Sequence, residues 1–254
     1  MKIVSWNVNS IKARLEHVQK FLASAQPDVL MIQELKGLDF PEADIKATGY
    51  ESAFVGQKAY NGVAVISKHP IKIILDHLPG DEADEQARYI EFDYQGLRLI
   101  NIYAPNGNPT PGEKYDYKLG WMERLHARLS ELRAQNIQFA IGGDFNVIPE
   151  GKDCYDPKAW KDDALFLPAT RQAFRRLINL GLTDAFRVHH TRAGQYTFWD
   201  YQAGAWQRDN GIRIDHFLLS PSIADKLVSC VIDKEPREWD KASDHTPIIV
   251  EINW

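Results

Sequence analysis

Short β-branched, apolar runs recur along the whole chain, and most of them end on a polar group suited to metal or phosphate chemistry. The runs are "KIVSW" at 2–6, "DVLMIQ" at 28–33, "GVAVIS" at 62–67, "RYIEFDY" at 88–94, "LRLINIY" at 97–103, "IQFAIG" at 137–142, "IDHFLLS" at 214–220 and "PIIVEI" at 247–252. Each is of strand length, and "DYQG" at 93–96 reads as a hairpin turn between two of them. Amphipathic helices lie between the runs. Ile11, Leu15, Val18 and Leu22 form one stripe, Leu119, Met122, Leu125, Leu129 and Leu132 a second, and Phe174, Leu177 and Ile178 a third. Several strands follow one another directly, which argues against a barrel of eight repeated β-α units and favours a layered α/β sandwich.

Length and composition agree with this reading. The chain has 254 residues, 44% of them hydrophobic, with no low-complexity tract, linker or short repeat, so one domain over 1–254 is the simplest organisation. Cys154 and Cys230 stand far apart in no metal-ligand spacing, which points to a reducing compartment. The start "MKIVSWNVNS" lacks a signal-peptide core and no apolar run approaches 18 residues, so a cytoplasmic protein without a membrane partner is expected. A net charge of −5 argues against a general nucleic-acid coat protein. It does not argue against a polyanionic substrate, because acids gathered around a divalent cation bind phosphate through the metal.

The polar strand ends carry the functional information. Asn7 and Asn9 follow "KIVSW", Glu34 follows "DVLMIQ", and Tyr103 and Asn106 lie in "NIYAPNG". Asp144 and Asn146 follow "FAIGG", Asp215 interrupts "IRIDHFLL", and Asp244-His245 precedes "TPIIVEI". Taken singly, an Asn or Asp here is a turn residue and His245 a structural histidine. Taken together, strand ends that face one side build one rim. Carboxylate and amide oxygens from Glu34, Asp244 and Asn7 suit a hard divalent cation. An imidazolium at His245 paired to a buried Asp215 suits a phosphate oxygen, and Asp144 with Asn146 can hold an attacking water. The halves also echo each other, one apolar run entering Gln33-Glu34 and another entering "GGDFN" at 142–146. No nucleophile elbow, Walker loop or zincin motif occurs, and "GNPTPGEK" at 107–114 reads as loop and helix start.

The motifs "SWNVNSIKARL", "PDVLMIQELK", "NIYAPNG", "IGGDFNVIP", "TFWDY", "RIDHFLLS" and "SDHTPI" together resemble the exonuclease III family of abasic-site endonucleases, in family order from Met1 to Trp254. The resemblance implies a four-layered α/β sandwich like that of pancreatic deoxyribonuclease I, with two packed sheets and helices outside. It implies Mg²⁺-dependent cleavage 5′ to an abasic site in duplex DNA, with Mn²⁺ able to substitute, together with 3′ to 5′ exonuclease and 3′-phosphatase activity, in a monomer. Carried across, Glu34, Asn7 and Asp244 are metal-side groups, Asp144 and Asn146 the "GDFN" pair with Asp144 favoured as base, Asp215 with His245 the acid-histidine pair, and Tyr103 a phosphate contact. Phe198, Ile212 and Ile214 match a pocket for a flipped-out abasic sugar. Asn106, Lys36, Arg88, Lys118 and Arg213 are candidates for DNA-backbone contacts. Three other readings stand beside this one: a phosphatase of the same superfamily acting on a small phosphate ester, a non-catalytic nucleic-acid-binding relative, and an RNA-directed or general nuclease of the same fold.

Overall fold

The computed structural model describes residues 1–254. Twelve strands form two sheets of six. They are β1 Lys2–Asn7, β2 Val29–Gln33, β3 Glu51–Val55, β4 Val63–Ser67, β5 Lys72–Leu75, β6 Tyr89–Tyr94, β7 Leu97–Tyr103, β8 Phe139–Asp144, β9 Thr183–Asp184, β10 Asp215–Leu219, β11 Leu227–Ile232 and β12 Ile248–Ile252. The helices are α1 Ile11–Ala25, α2 Glu42–Lys46, α3 Glu113–Ala134, α4 Pro168–Ile178, α5 Ala185–His189 and α6 Pro221–Ala224. The first sheet runs β11-β12-β1-β2-β4-β3 and the second β5-β6-β7-β8-β10-β9.

Alternation along the strands explains the layering. Ile3, Met31 and Val65 from the first sheet meet Phe92, Leu99 and Phe217 from the second in one buried cluster. Val4, Trp6, Leu30 and Ile32 face outward onto Val18, Phe21 and Leu22 of α1. Ile100, Ile102 and Ile141 face outward from the second sheet onto Trp121, Leu125 and Leu129 of α3 and Phe174 of α4. Helix, sheet, sheet and helix therefore stack in four layers, the arrangement that the residue pattern and the family resemblance lead one to expect.

The echo between the halves is structural. Each sheet holds one parallel pair, β1 beside β2 and β7 beside β8, and every other pairing is antiparallel. Each parallel pair is joined through a long helix, α1 or α3, as a parallel connection requires. Parallel neighbours end on the same edge, so β1 and β2 deliver Asn7 beside Gln33 while β7 and β8 deliver Tyr103 beside Asp144. Two pairs thus feed one rim.

The seam beneath that rim is polar. Gln33 Nε2 donates to Asn101 Oδ1 at 2.7 Å and to Ser5 Oγ at 3.1 Å, while Asn101 Nδ2 donates to the Ile32 and Ala64 carbonyls at 3.0 and 2.9 Å. All three side chains are fully buried, and their bonds tie the sheets together in register.

The glycines before Asp144 serve the sheet stack. A β-carbon on Gly142 would meet the Phe217 ring at 2.4 Å, and one on Gly143 would meet the Ile102 carbonyl oxygen at 2.0 Å. Gly143 also has φ of +149°, so a side chain would be both clashing and strained there. Gly143→Ala should destabilise the fold by about 3 kcal/mol or more, the range of severe core disruption. Urea unfolding checks this; a midpoint equal to wild type would contradict the close approach.

Candidate active site

The rim opens into a cleft of about 280 Å³ that gathers Glu34, Tyr103, Asn106, Asp144, Asn146, Phe198, Ile214, Asp244 and His245. Asp215 lies fully buried beneath it. Residues far apart in sequence, at the ends of strands in both sheets, therefore meet as the sequence suggests.

The core of the site is an acid-histidine-acid line. His245 Nδ1 lies 2.9 Å from Asp215 Oδ2, and its Nε2 faces Asp144 Oδ2 at 3.7 Å. Burial works against a charged imidazole, but the Asp215 and Asp144 carboxylates outweigh it and raise the His245 pKa. Burial also pushes the Asp144 carboxyl upward, a rise that His245 opposes and the Asp215 and Glu34 charges reinforce. Asp144 is held by Asn7 Nδ2 at 3.0 Å on Oδ2 and by the Asn146 backbone N–H at 2.9 Å on Oδ1. Asp215 Oδ1 is buried with no hydrogen-bond partner, and its backbone N–H donates to Thr197 Oγ1 at 3.1 Å.

Glu34 forms the other side. Tyr103 donates to its Oε1 at 2.5 Å, and the Lys36 ammonium sits 2.9 Å from Oε2. Burial alone would raise the Glu34 pKa; the Tyr103 hydroxyl, Lys36 and His245 reverse that and lower it, so the carboxylate stays ionised. Burial and the Glu34 and Asp144 charges raise the Tyr103 pKa well above the usual phenol range, which keeps its hydroxyl a donor. Lys36 Nζ also reaches Asn9 Oδ1 at 2.5 Å, and Asn9 Nδ2 donates to Asp244 Oδ1 at 3.0 Å. A cation therefore already sits among these oxygens. Asn9, Glu34, Lys36 and Asn146 all adopt positive φ, between 47° and 58°, so the rim loops hold these side chains in sparsely populated backbone conformations.

The charge balance tests the expected metal. Five carboxylates, Glu34, Asp144, Asp163, Asp200 and Asp244, line the cleft against one imidazole, with the Lys36 ammonium at its rim beside Glu34, so negative charge stays in excess. A phosphate entering alone would be repelled. Carboxylate and amide oxygens are the ligands of a hard divalent ion, so the donor set fits one. The buried set Asp144, Asp215 and His245 brings three ligand atoms within 4.8 Å of one another, but its imidazole is already paired to both acids. The Glu34 side is the better fit.

Several expected residues lie off the cleft wall or are engaged in other contacts. Asn7 is buried and does not line the cleft; it accepts from the Asn9 N–H at 3.0 Å and holds Asp144. Asn146 spends its side chain on the Ala104 carbonyl and on Asn106. Ile212 is 1% exposed and off the cleft wall, where Trp160 and Leu165 join Phe198 and Ile214 instead. Arg88 lies with its guanidinium 4.8 Å from the Tyr103 ring centre and donates to the Tyr103 carbonyl at 3.1 Å, which leaves it half-buried. Lys36 and Asn106 are exposed at the rim, as backbone contacts would need to be.

Lys118 and Arg213 are corrected outright. Lys118 is fully buried and donates to the carbonyls of Asn106 at 2.9 Å and Asn146 at 2.6 Å, so it braces the loops of the cleft and cannot meet DNA. With only carbonyls as partners, burial lowers its pKa to about 7. Arg213, also fully buried, pairs with Asp153 at 2.7 Å and Asp184 at 2.9 Å. It lies 2.9 Å from His216 Nδ1, while His216 Nε2 reaches the Val147 carbonyl at 2.9 Å.

Asn9 lies on the rim as its place after "KIVSW" suggests, whereas Thr197, Ser243, Trp160 and Leu165 join the site unanticipated. Ser243 Oγ donates to the Asn7 carbonyl at 2.8 Å and accepts from the His245 N–H at 3.2 Å. "TFWDY" and "SDH" held the signal for Thr197 and Ser243, two hydroxyls next to functional groups; nothing local marked Trp160 or Leu165.

The endonuclease/exonuclease/phosphatase family profile matches residues 4–245. The chain is 32% identical over 266 residues to exodeoxyribonuclease III of Haemophilus influenzae, covering 99% of this chain and 100% of that one. It belongs to the exonuclease III family. Among solved structures, a 3′ phosphatase from Neisseria bound to a product DNA hairpin superposes with a TM-score of 0.97 at 38% identity, with full coverage of both chains. An AP endonuclease from Archaeoglobus fulgidus gives 0.96 at 36%, again over both whole chains. The exonuclease III fold is thus kept from end to end.

The His216 contacts generate a prediction. Burial first, and then the Arg213 charge, lower its pKa from 6.5 to about 4. The unfolded chain binds the proton that the fold refuses between these values. Stability from this group is therefore complete above pH 6.5 and falls as pH drops toward 4, by on the order of 3 kcal/mol. Urea unfolding across pH 4 to 7 should show a steeper loss in wild type than in His216→Gln; parallel curves would contradict it.

Proposed function

We propose that this protein is a divalent-metal-dependent DNA-repair nuclease. It hydrolyses the phosphodiester 5′ to an abasic site in duplex DNA to leave a 3′-hydroxyl, and it also acts at 3′ ends as an exonuclease and 3′-phosphatase. The observation that carries this reading is the convergence of Glu34, Asp144, Asp244 and His245 on one cleft with Asp215 directly behind the histidine. Membership of the exonuclease III family, together with the 3′ phosphatase and AP endonuclease neighbours, supports it.

Glu34 and Asp244 would hold the metal, with the Asn9 amide bonded to Asp244, and Mg²⁺ is the ion proposed, with Mn²⁺ as its substitute. When bound, the ion supplies positive charge to the phosphate oxygens. Asp144, oriented by Asn7 and the Asn146 N–H, takes the proton of the attacking water. His245, kept charged by Asp215, donates from Nε2 to a non-bridging phosphate oxygen and stabilises the charge that builds there. Tyr103 holds Glu34 in place and presents its hydroxyl to the cleft. Phe198, Ile214, Trp160 and Leu165 form the apolar wall against a flipped-out sugar. Lys36 and Asn106 stand at the rim for the DNA backbone.

One domain over 1–254, a monomer and a cytoplasmic location complete the proposal. No helix is long and apolar enough to cross a membrane, and both cysteines are free and buried.

Duplexes carrying one abasic site, a 3′-phosphate or an intact recessed 3′ end, and an RNA hairpin, should be offered with Mg²⁺ and with chelator. Cleavage is expected on the first three with metal only. Asp144→Asn and His245→Ala should each lower turnover at least about 100-fold with the circular dichroism spectrum unchanged, the scale of lost electrostatic positioning. Near wild-type rates in either variant, or full activity in chelator, would defeat these roles.

A further inference from the structure

A second concavity, of about 180 Å³, lies between the loop that follows β8, helix α4 and helix α5, and it shares no lining residue with the cleft. Five cations line it, Lys152, Arg171, Arg175, Arg187 and Arg213, against three acids, Glu150, Asp153 and Asp184.

The acids are already spent. Asp153 binds Arg213 and Arg187 and accepts the Glu150 N–H at 3.1 Å. Asp184 binds Arg213 and accepts from the Phe186 and Arg187 N–H groups at the start of α5. Glu150 pairs with Lys152 at 3.1 Å on the outer rim.

Three of the cations are spent on them, Arg213 and Arg187 at Asp153 and Lys152 at Glu150, and Arg171 and Arg175 are left without an acid partner. Arg171 gives only Nε to a protein acceptor, the Pro149 carbonyl at 3.0 Å, with its guanidinium 4.7 Å from the Phe166 ring centre. Arg175, one turn further along the same face of α4, has no protein acceptor and is exposed. Arg187 Nε is buried without a partner. Two guanidinium forks on one helix face, over a base whose acids are neutralised, form a receptor for a tetrahedral oxyanion.

We propose that this pocket binds a phosphate group. Pro149 follows Asn146 by three residues, so the chain between cleft and pocket spans at most about 11 Å. That is within the footprint of a nucleic-acid strand held in the cleft, whose phosphates recur about every 3.4 Å along the axis. The group bound is either a backbone phosphodiester of such a strand or free phosphate.

The test uses the whole protein in chelator, where the acidic cleft repels anions. Inorganic phosphate is titrated against chloride at constant ionic strength, and amide chemical shifts are followed by NMR. Saturable shifts are expected at Lys152, Arg175 and Arg187, and Arg175→Glu should weaken the affinity at least about tenfold. Arg175 is exposed on the last turn of α4, so this variant keeps the fold, which circular dichroism verifies. Shifts confined to cleft amides, absence of saturation, or equal affinity in Arg175→Glu would overturn the site. A second arm measures binding of an uncleaved duplex against salt. If the backbone is the source, neutralising Arg175 with Arg175→Gln lowers the slope of log affinity on log salt by about 1. An unchanged slope with phosphate binding lost in Arg175→Glu assigns the pocket to free phosphate.

Discussion

Negative charge concentrated at one cleft is the constraint around which this molecule is organised. Five carboxylates line a cleft that offers one imidazole, and a sixth, Asp215, lies sealed beneath it. The acids at and beneath the centre of the cleft are shielded from water, so four of them are each given a partner. Asp144 takes the Asn7 amide and a backbone N–H, Glu34 a phenol and an ammonium, Asp244 the Asn9 amide, and Asp215 the imidazole. The partners leave the charge in place while fixing its geometry, which is the state that receives a divalent ion and then a phosphate.

The fold meets that demand by symmetry. Each sheet contributes one parallel pair with a helical crossover, and the ends of the two pairs converge. Gly142 and Gly143 bring β8 close to its neighbours, and the Ser5, Gln33 and Asn101 network fixes the relative position of the sheets beneath the rim. Asp144 can therefore face His245 from the opposite sheet at a fixed distance. Lys118 adds a brace from α3, holding the Asn106 and Asn146 loops through their carbonyls.

What was legible in the sequence follows a physical rule. The eight apolar runs are the four inner strands of each sheet, buried over most of their length and so dominated by apolar residues. The strands missed, β3, β5, β9 and β11, are the four sheet edges, where half-exposed positions such as Glu51, Lys72 and Val228 blur the pattern. Site acids were legible because a carboxylate ending a buried run needs a reason. Basic residues were not: Lys118 and Arg213 look in sequence like Lys36, and only their partners show that they are buried braces. Ile212 failed for a related reason, since its neighbour Ile214 faces the cleft and it does not. Leu165 and Trp160 reach the cleft wall through a loop that no periodicity describes.

The central claim is that the surplus charge around Glu34 is a site for a divalent cation. Isothermal titration of Mg²⁺, and separately of Mn²⁺, into the metal-free protein measures this without reference to catalysis. Saturable binding is expected in wild type, weakened at least about tenfold in Glu34→Gln, where one carboxylate charge is gone but the side-chain shape remains. Equal metal affinity in the two proteins would contradict the account.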